Sequence, residues 1–283
     1  MAQLFSDLKR TAHRINRKLS STIGGARHFR GLGPFRPIFG DGEFERIYHV
    51  HSRKTAGTSV NQMFLALSQP DDVNALYAAL ARPPYNVGSG EWRFSAWTAT
   101  ALKHPQFHYG FSHVPLWQLD LPPRTFRFTV LRDPVARVRS LYDMLAGYRD
   151  TQSRHPDHQP QIEWVKDGFA GFLERAPKAE LLGQLSMFSK KLDPQEGLDA
   201  VGELEMIVAL EKLEPALKQM GSRFGLPLYA QHTRAATQRY TPTPEELRRL
   251  RGLLAPEQWL YERALMLHEG QPDDRESEFA QTA

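Results

Sequence analysis

The chain has 283 residues, of which 41% are hydrophobic and 24% are charged, and it contains no cysteine. This composition excludes wholesale disorder, and the lack of cysteine excludes disulfides, thiolate nucleophiles and cysteine-ligated metals. No stretch reaches the roughly 20 apolar residues of a membrane span, and the N-terminus has no continuous apolar segment of the secretory type, so we expect a cytoplasmic protein.

The N-terminal segment is strongly basic. The first 40 residues contain eight Lys or Arg and one Asp, so the net charge of this segment, 8 − 1 = +7, is larger than the net charge of +4 of the whole chain. A basic body that binds nucleic acid is therefore not expected. We interpret residues 1–43 as a basic arm, either solvated and partly flexible or an amphipathic helix at an anionic membrane, which would make the protein membrane-peripheral. An organelle transit peptide has a similar composition.

The body of the protein is predicted to begin near residue 44 with a strand, a loop and a helix. Residues 44–50 favour β structure and are followed by a polar turn over residues 51–57. Val60, Met63, Phe64 and Leu67 then recur at helical spacing, which places them on one apolar face.

The same order of elements recurs twice downstream. Thr125–Leu131 is typical of a buried strand, and the Asp133-Pro134 pair is typical of a helix cap followed by a first-turn proline. Residues 205–210 predict a third strand, followed by a helix that ends at Gly225. Thr243 and Glu246 form a capping box for a helix to about residue 254, and Pro256 is predicted to open another. We expect residues 270–283 to be a disordered tail.

Strands that alternate with helices predict an α/β fold with an open, mostly parallel central sheet flanked by helices. Ligands of such folds bind beyond the carboxyl ends of the strands. The loops that follow the first two predicted strands, residues 51–59 and 132–140, are therefore the places to look for a site.

The first loop has the chemistry of an anion site. It comprises Lys54, Thr55, Ala56, Gly57, Thr58 and Ser59. Backbone N–H groups at a helix start favour an anion, Gly57 permits close approach, and Lys54 adds a positive charge. A capped strand-to-helix turn with a surface Lys is an equally good interpretation of the spacing. The loop is not a Walker A motif, because its Lys precedes the glycine.

The second loop combines a cationic side chain with a helix start. Arg132 could hold a phosphate bidentately, and Ser140 lies two turns into the helix. Taken alone, an Arg at such a position is usually a surface residue. We assign Asp133 to capping rather than to catalysis.

Together the two loops resemble the signatures of the sulfotransferase superfamily that uses 3′-phosphoadenosine 5′-phosphosulfate (PAPS), in the branch of heparan sulfate 2-O-sulfotransferases and bacterial carbohydrate sulfotransferases. His51 and residues 54–59 are similar to the segment that holds the 5′-phosphosulfate. Arg132 and Ser140 match the residues that hold the 3′-phosphate. Arg53 stands where that family has Pro, and it is a candidate for an additional phosphate contact. The resemblance implies a P-loop-like sulfotransferase domain over residues 44–269.

The resemblance also implies a catalytic base. His113 lies in a segment similar to the family's Gly-His-Val, and a neutral imidazole can accept the proton of an attacking hydroxyl near neutral pH. Glu91 is a weaker alternative base, and we expect His108 to be structural. In this interpretation Lys54 stabilises charge on the leaving phosphate.

The predicted function is therefore transfer of a sulfuryl group from PAPS to a hydroxyl of a carbohydrate or glycolipid. No metal is expected, since His155 and His158 stand in a polar loop without a ligand set. Aromatic residues such as Trp97 and Trp117 could stack on sugar rings or belong to the core. The alternatives are a P-loop kinase and a non-catalytic protein that binds anionic glycans or membranes through its basic arm.

Overall fold

The structure, a computed structural model, describes residues 33–39, 42–153, 158–229 and 240–269. Its strands are β1 (Arg46–Val50), β2 (Asn86–Ser89), β3 (Trp92–Ala96), β4 (Tyr109–Ser112), β5 (Thr125–Leu131) and β6 (Met206–Ala209). Its helices are α1 (Gly57–Ala66), α2 (Val73–Leu80), α3 (Ala99–Lys103), α4 (Pro134–Asp150), α5 (Gln159–Ile162), α6 (Gly168–Arg175), α7 (Lys178–Leu181), α8 (Gly183–Phe188), α9 (Pro194–Gly202), α10 (Leu213–Phe224) and α11 (Pro244–Glu269). Short 3₁₀ turns occupy Leu116–Gln118, Glu163–Val165 and Leu210–Lys212.

The six strands form one sheet in the order β2-β3-β4-β1-β5-β6. Strands β3, β4, β1, β5 and β6 run parallel to one another. The outermost strand, β2, pairs antiparallel with β3. This arrangement confirms the predicted α/β class and the mostly parallel sheet. Since β4, β1 and β5 are neighbours, the loops at their carboxyl ends meet at one edge of the sheet.

Helices cover both faces of the sheet. On one face α4, α6, α8, α9 and α11 enclose a core that includes Tyr48, Leu141 and Phe172. On the other face α1, α2 and α10 enclose an aromatic-rich core that includes Phe64 and Phe128. Because helices cover both faces, β5 is buried at six of its seven positions.

The predicted helix boundaries hold at three capping sites. Asp133 caps α4 by accepting a hydrogen bond from the Ala136 N–H at 2.7 Å, with Pro134 in the first turn. Gly225 ends α10 in the left-handed conformation, with φ of 66°. Thr243 and Glu246 exchange the reciprocal hydrogen bonds of a capping box. The assignment of Asp133 to capping is thus confirmed.

The prediction of a new helix at Pro256 is wrong. Residues 244–269 form one continuous helix with Pro256 inside it. Leu250, Leu254, Leu260 and Ala264 recur along one buried face across the proline. Burial of this apolar stripe outweighs the loss of one backbone hydrogen bond at the proline, so the helix continues.

Residues 33–39 lie against the body, at the edge where the strands begin. The Arg93 guanidinium donates to the Gly33 and Pro34 carbonyls, and the His108 Nε2–H donates to the Arg36 carbonyl at 2.8 Å. Phe39 is only 8% exposed and packs on the Phe224 ring. We call residues 33–39 the strap. Packed structure thus begins before residue 44, whereas residues 1–32 and the proposed tail, 270–283, lie outside the described residues.

Among the residues that the structure describes, none of the helices combines the length and the apolar composition that crossing a bilayer requires.

Candidate functional site

The loop between β1 and α1 has a tightly turned backbone. Lys54 and Ala56 both adopt positive φ, at 71° and 62°, which is uncommon for residues with a side chain. Ala56 is the N-cap of α1, and the Val60 N–H makes the first bond of the helix, to the Ala56 carbonyl at 3.1 Å. The N–H groups of residues 57–59 precede that bond, as expected for a helix start. Strained residues at a helix start are characteristic of functional loops.

Gly57 is required at the first position of α1 by its neighbour His51. A Cβ on Gly57 would lie 1.7 Å from Nε2 of the His51 imidazole, so no other residue fits without moving the ring. Sequence reasoning assigned this glycine to close approach by a phosphate. In the structure the missing Cβ of Gly57 leaves space for the His51 imidazole, which packs against the start of α1.

His113 at the carboxyl end of β4 is bonded to this loop. Its Nδ1 lies 2.8 Å from the His51 carbonyl oxygen. A carbonyl can only accept, so Nδ1 carries the proton and Nε2 of the neutral ring is left as an acceptor. Desolvation lowers the pKa of His113 below 6.5, and the nearby Arg53 charge lowers it further, against an opposing effect of its hydrogen bond to His51. The His113 imidazole is therefore neutral at neutral pH, and part of the residue's surface remains exposed.

Arg132 at the carboxyl end of β5 is bonded to the same loop from the other side. Its Nη1 donates to the Lys54 carbonyl at 3.1 Å. The loop after β1 thus receives one hydrogen bond from the residue after β4 and one from the residue after β5. The predicted site residues His113, Lys54 and Arg132 are brought together at one edge of the sheet.

Other residues of the first loop have defined neighbours. The Lys54 ammonium lies 3.7 Å from the Met144 sulfur on α4. The Thr55 hydroxyl is buried and donates to the Ser52 carbonyl at 2.9 Å, so this side chain holds the turn together. The buried Ser52 hydroxyl has no partner among the described residues.

The Arg53 side chain is bonded to two residues outside the loop. Its guanidinium pairs with the Glu180 carboxylate at 3.1 Å and donates to the Gln161 side chain at 2.8 Å. The structure therefore shows a role for Arg53 in attaching α5 and α7 to the loop. A contact between Arg53 and a nucleotide stays a prediction.

Ser140 lies two turns into α4 and is nearly buried, with 8% of its surface exposed. It lies six positions after Pro134, which corresponds to about 9 Å along the helix axis. A ligand group held by both Arg132 and Ser140 would therefore lie along the first two turns of α4.

A buried polar network supports the loop from within the sheet. The Asn61 Oδ1 accepts from the Tyr109 hydroxyl at 2.7 Å and from Nδ1 of His49 at 2.9 Å. The rings of His49 and His51 stack, with centroids 5.1 Å apart. Burial lowers the pKa of His49 to about 4 and that of His51 well below its ordinary value, so both rings are neutral. Neutral imidazoles can pack against each other and against His113 without charge repulsion.

The other residues that the sequence suggested as bases or sugar contacts differ in their distance from His113. Glu91 immediately precedes β3, which runs parallel to β4, so Glu91 lies at the opposite edge of the sheet from His113. His108 uses both ring nitrogens on backbone groups, accepting from the Arg93 N–H and donating to Arg36, which confirms its structural role. Trp97 follows β3 and contacts the His113 ring, with centroids 5.5 Å apart, while Trp117 is 43% exposed.

Sequence reasoning missed the residues behind Arg132. Gln184 bonds the Arg132 backbone, and Glu257 on α11 accepts from Gln184 and from Arg137. Arg137 also lies in the loop over residues 132–140, and its side chain is buried and paired with Glu257 at 3.0 Å. No local pattern marks Gln184 or Glu257, because both reach the site from distant helices.

Within the described ranges, no group of three or more His, Asp or Glu side chains is placed to hold a metal ion. Comparison of the chain with known protein families finds no matching family model, and comparison with curated proteins finds no significant match.

Proposed function

We propose that this protein is a sulfotransferase with a P-loop-like fold that moves a sulfuryl group from PAPS to a hydroxyl of a carbohydrate or glycolipid. The observation that carries the proposal is the pair of hydrogen bonds that joins three strand ends. His113 and Arg132 both bond the backbone of the loop that contains Lys54. One base and two cations are thereby held around one helix start.

The residues fit an anionic donor. The start of α1 supplies backbone N–H groups and the positive end of the helix dipole. Lys54 and Arg132 add two positive charges at the same edge of the sheet. The buried Ser52 hydroxyl, which has no partner among the described residues, offers a further hydrogen bond. PAPS supplies an activated sulfuryl group and a 3′-phosphate, and both are anionic.

The proposed transfer needs one base and charge stabilisation. The acceptor hydroxyl gives its proton to Nε2 of His113 as its oxygen forms a bond to sulfur. The bond between sulfur and the 5′-phosphate oxygen breaks, and its electron pair leaves with that oxygen, where Lys54 stabilises the negative charge. Positioning and charge stabilisation dominate related phosphoryl transfers.

The acceptor proposal rests on the aromatic residues near His113. Trp97 contacts the His113 ring. The exposed Trp117 lies four positions after His113 along the chain. We also propose a membrane contact through residues 1–40, of which the structure describes only the strap. A cytoplasmic location is a further proposal.

The deciding experiment is calorimetry with 3′-phosphoadenosine 5′-phosphate, the desulfated product, against ATP. We expect binding of the product nucleotide and little binding of ATP. Binding of ATP alone would favour a kinase. Binding of neither nucleotide would overturn the proposal and favour a non-catalytic role.

A second comparison tests the assignment of Arg132. Removing a charge-assisted hydrogen bond costs roughly 1.5 to 3 kcal/mol, so Arg132→Ala should weaken binding of the product nucleotide by about one to two powers of ten. Binding of adenosine 5′-phosphate, which lacks the 3′-phosphate, should change little. Arg149→Ala, at the far end of the same helix, is the matched control. Equal weakening for both nucleotides would show that Arg132 does not bind the 3′-phosphate.

A further inference from the structure

The backbone of Arg132 is held on both sides by one side-chain amide. The Arg132 N–H donates to Oε1 of Gln184 at 2.7 Å, and Nε2 of Gln184 donates to the Arg132 carbonyl at 2.9 Å. Gln184 is 1% exposed, so its amide group is shielded from water. Two opposed hydrogen bonds fix both the position and the direction of the peptide groups from which the Arg132 side chain extends.

The amide is itself fixed from behind. The second Nε2 hydrogen of Gln184 points to Oε1 of Glu257 at 3.2 Å, and the Gln184 backbone N–H donates to Oε2 of Glu257 at 2.8 Å. Glu257 is fully buried and is paired with the equally buried Arg137. The amide therefore uses both donors and its acceptor, and it cannot flip without losing three bonds.

We propose that Gln184 is a positioning residue for recognition of the 3′-phosphate by Arg132, an inference that rests on the proposed function. The Arg132 guanidinium reaches the Lys54 carbonyl from a backbone that Gln184 holds in place. A guanidinium that is already oriented loses less side-chain freedom when it binds a phosphate. Gln184 acts through Arg132 and does not touch the ligand.

The requirement is for an amide at this position. A carboxylate could accept from the Arg132 N–H but could not donate to its carbonyl, and it would face the carboxylate of Glu257. An apolar side chain of the same length would take away the acceptor of the Arg132 N–H and the donor to its carbonyl. Gln184→Met therefore removes the hydrogen bonds while it keeps most of the volume, and Gln184→Leu, which also places no charge beside Glu257, serves as a second variant with the same expected result.

The experiment measures the ratio of affinities for 3′-phosphoadenosine 5′-phosphate and adenosine 5′-phosphate. We expect Gln184→Met to lower this ratio about tenfold through weaker binding of the 3′-phosphorylated nucleotide. Leu185→Ala, in the adjacent buried core position, should lower the melting temperature without changing the ratio. In an Arg132→Ala background, Gln184→Met should not lower the ratio further, because both changes remove the same contact.

The outcomes separate the two proposals. A wild-type protein without preference for the 3′-phosphorylated nucleotide would overturn the proposed function and, with it, this inference. A preference that survives Gln184→Met, or effects of Gln184→Met and Arg132→Ala that add, would leave the proposed function standing and refute the positioning role.

Discussion

At the level of single residues, the tautomer of His113 decides which ring nitrogen can accept a proton. The His51 carbonyl binds Nδ1–H, so Nε2 is the acceptor. Desolvation keeps the pKa of His113 below 6.5, and the ring therefore stays neutral to lower pH than a solvated histidine. A neutral imidazole with a defined acceptor nitrogen is what general-base catalysis requires.

The first prediction concerns His113. We expect His113→Ala to lower kcat by about 10²- to 10⁴-fold, the usual contribution of a general base, with little change in nucleotide affinity. The midpoint of the decline in the wild-type rate at acid pH should lie below 6.5, because the pKa of His113 is lowered. His104→Ala, a histidine away from the site, is the control. Unchanged turnover of the His113 variant would exclude its role as base.

How much of the site the sequence predicts depends on where each residue stands along the chain. His113, Lys54 and Arg132 each follow a strand, so a parallel sheet brings them together and their patterns reveal them. Gln184 and Glu257 lie 52 and 125 positions from Arg132 on helices with ordinary amphipathic patterns. Their roles depend on packing between helices, which no local pattern encodes.

At the level of elements, the sequence predicts those strands and helix ends that are set by local patterns. The strands β1, β5 and β6 and the caps of α4 and α10 agree with prediction, because apolar runs and capping residues act locally. At Pro256 a local signal was overridden by burial of a helix face. The strap has no periodic pattern, and its docking depends on Arg93 and His108 from elsewhere in the chain.

The second prediction concerns the start of α1. Gly57→Ala places a Cβ inside the His51 ring, and we expect a destabilisation of roughly 1 to 3 kcal/mol from this overpacking. Gly252→Ala within α11 is the matched control, since a Cβ added there would meet nothing within 4 Å beyond the neighbouring backbone of its own helix. The control should gain about 0.5 to 1 kcal/mol from improved helix propensity. Equal unfolding free energies for the two variants would contradict the observed packing of His51.

The third prediction concerns the strap. Phe39 packs against Phe224 and Trp92 and is nearly buried, so Phe39→Ala should cost about 3 to 5 kcal/mol of stability. Phe35→Ala, at a half-buried position of the same segment, should cost less. Urea denaturation of both variants tests this order. A Phe39 variant as stable as the wild type would show that the strap does not belong to the body.

At the level of the whole molecule, neutral histidines are built into the protein interior. His49 lies at the centre of the sheet, and His108 lies where the strap meets β4. Burial lowers the pKa of each to about 4. Well above pH 6.5 these rings are neutral in both the folded and the unfolded chain, so there they add no pH dependence to stability.

Between pH 6.5 and 4 the unfolded chain binds protons that the folded protein excludes, and stability must therefore fall as the pH is lowered through this range. For each ring the difference between pKa values of 6.5 and about 4 corresponds to a loss on the order of 3 kcal/mol. His108→Gln keeps one donor for Arg36 and one acceptor for Arg93 but cannot titrate. We expect urea denaturation to give similar stabilities for this variant and the wild type at pH 7.5, and a shallower decline for the variant towards pH 4. Carboxylates titrate equally in both proteins, so parallel declines would show that His108 is not held neutral by the fold.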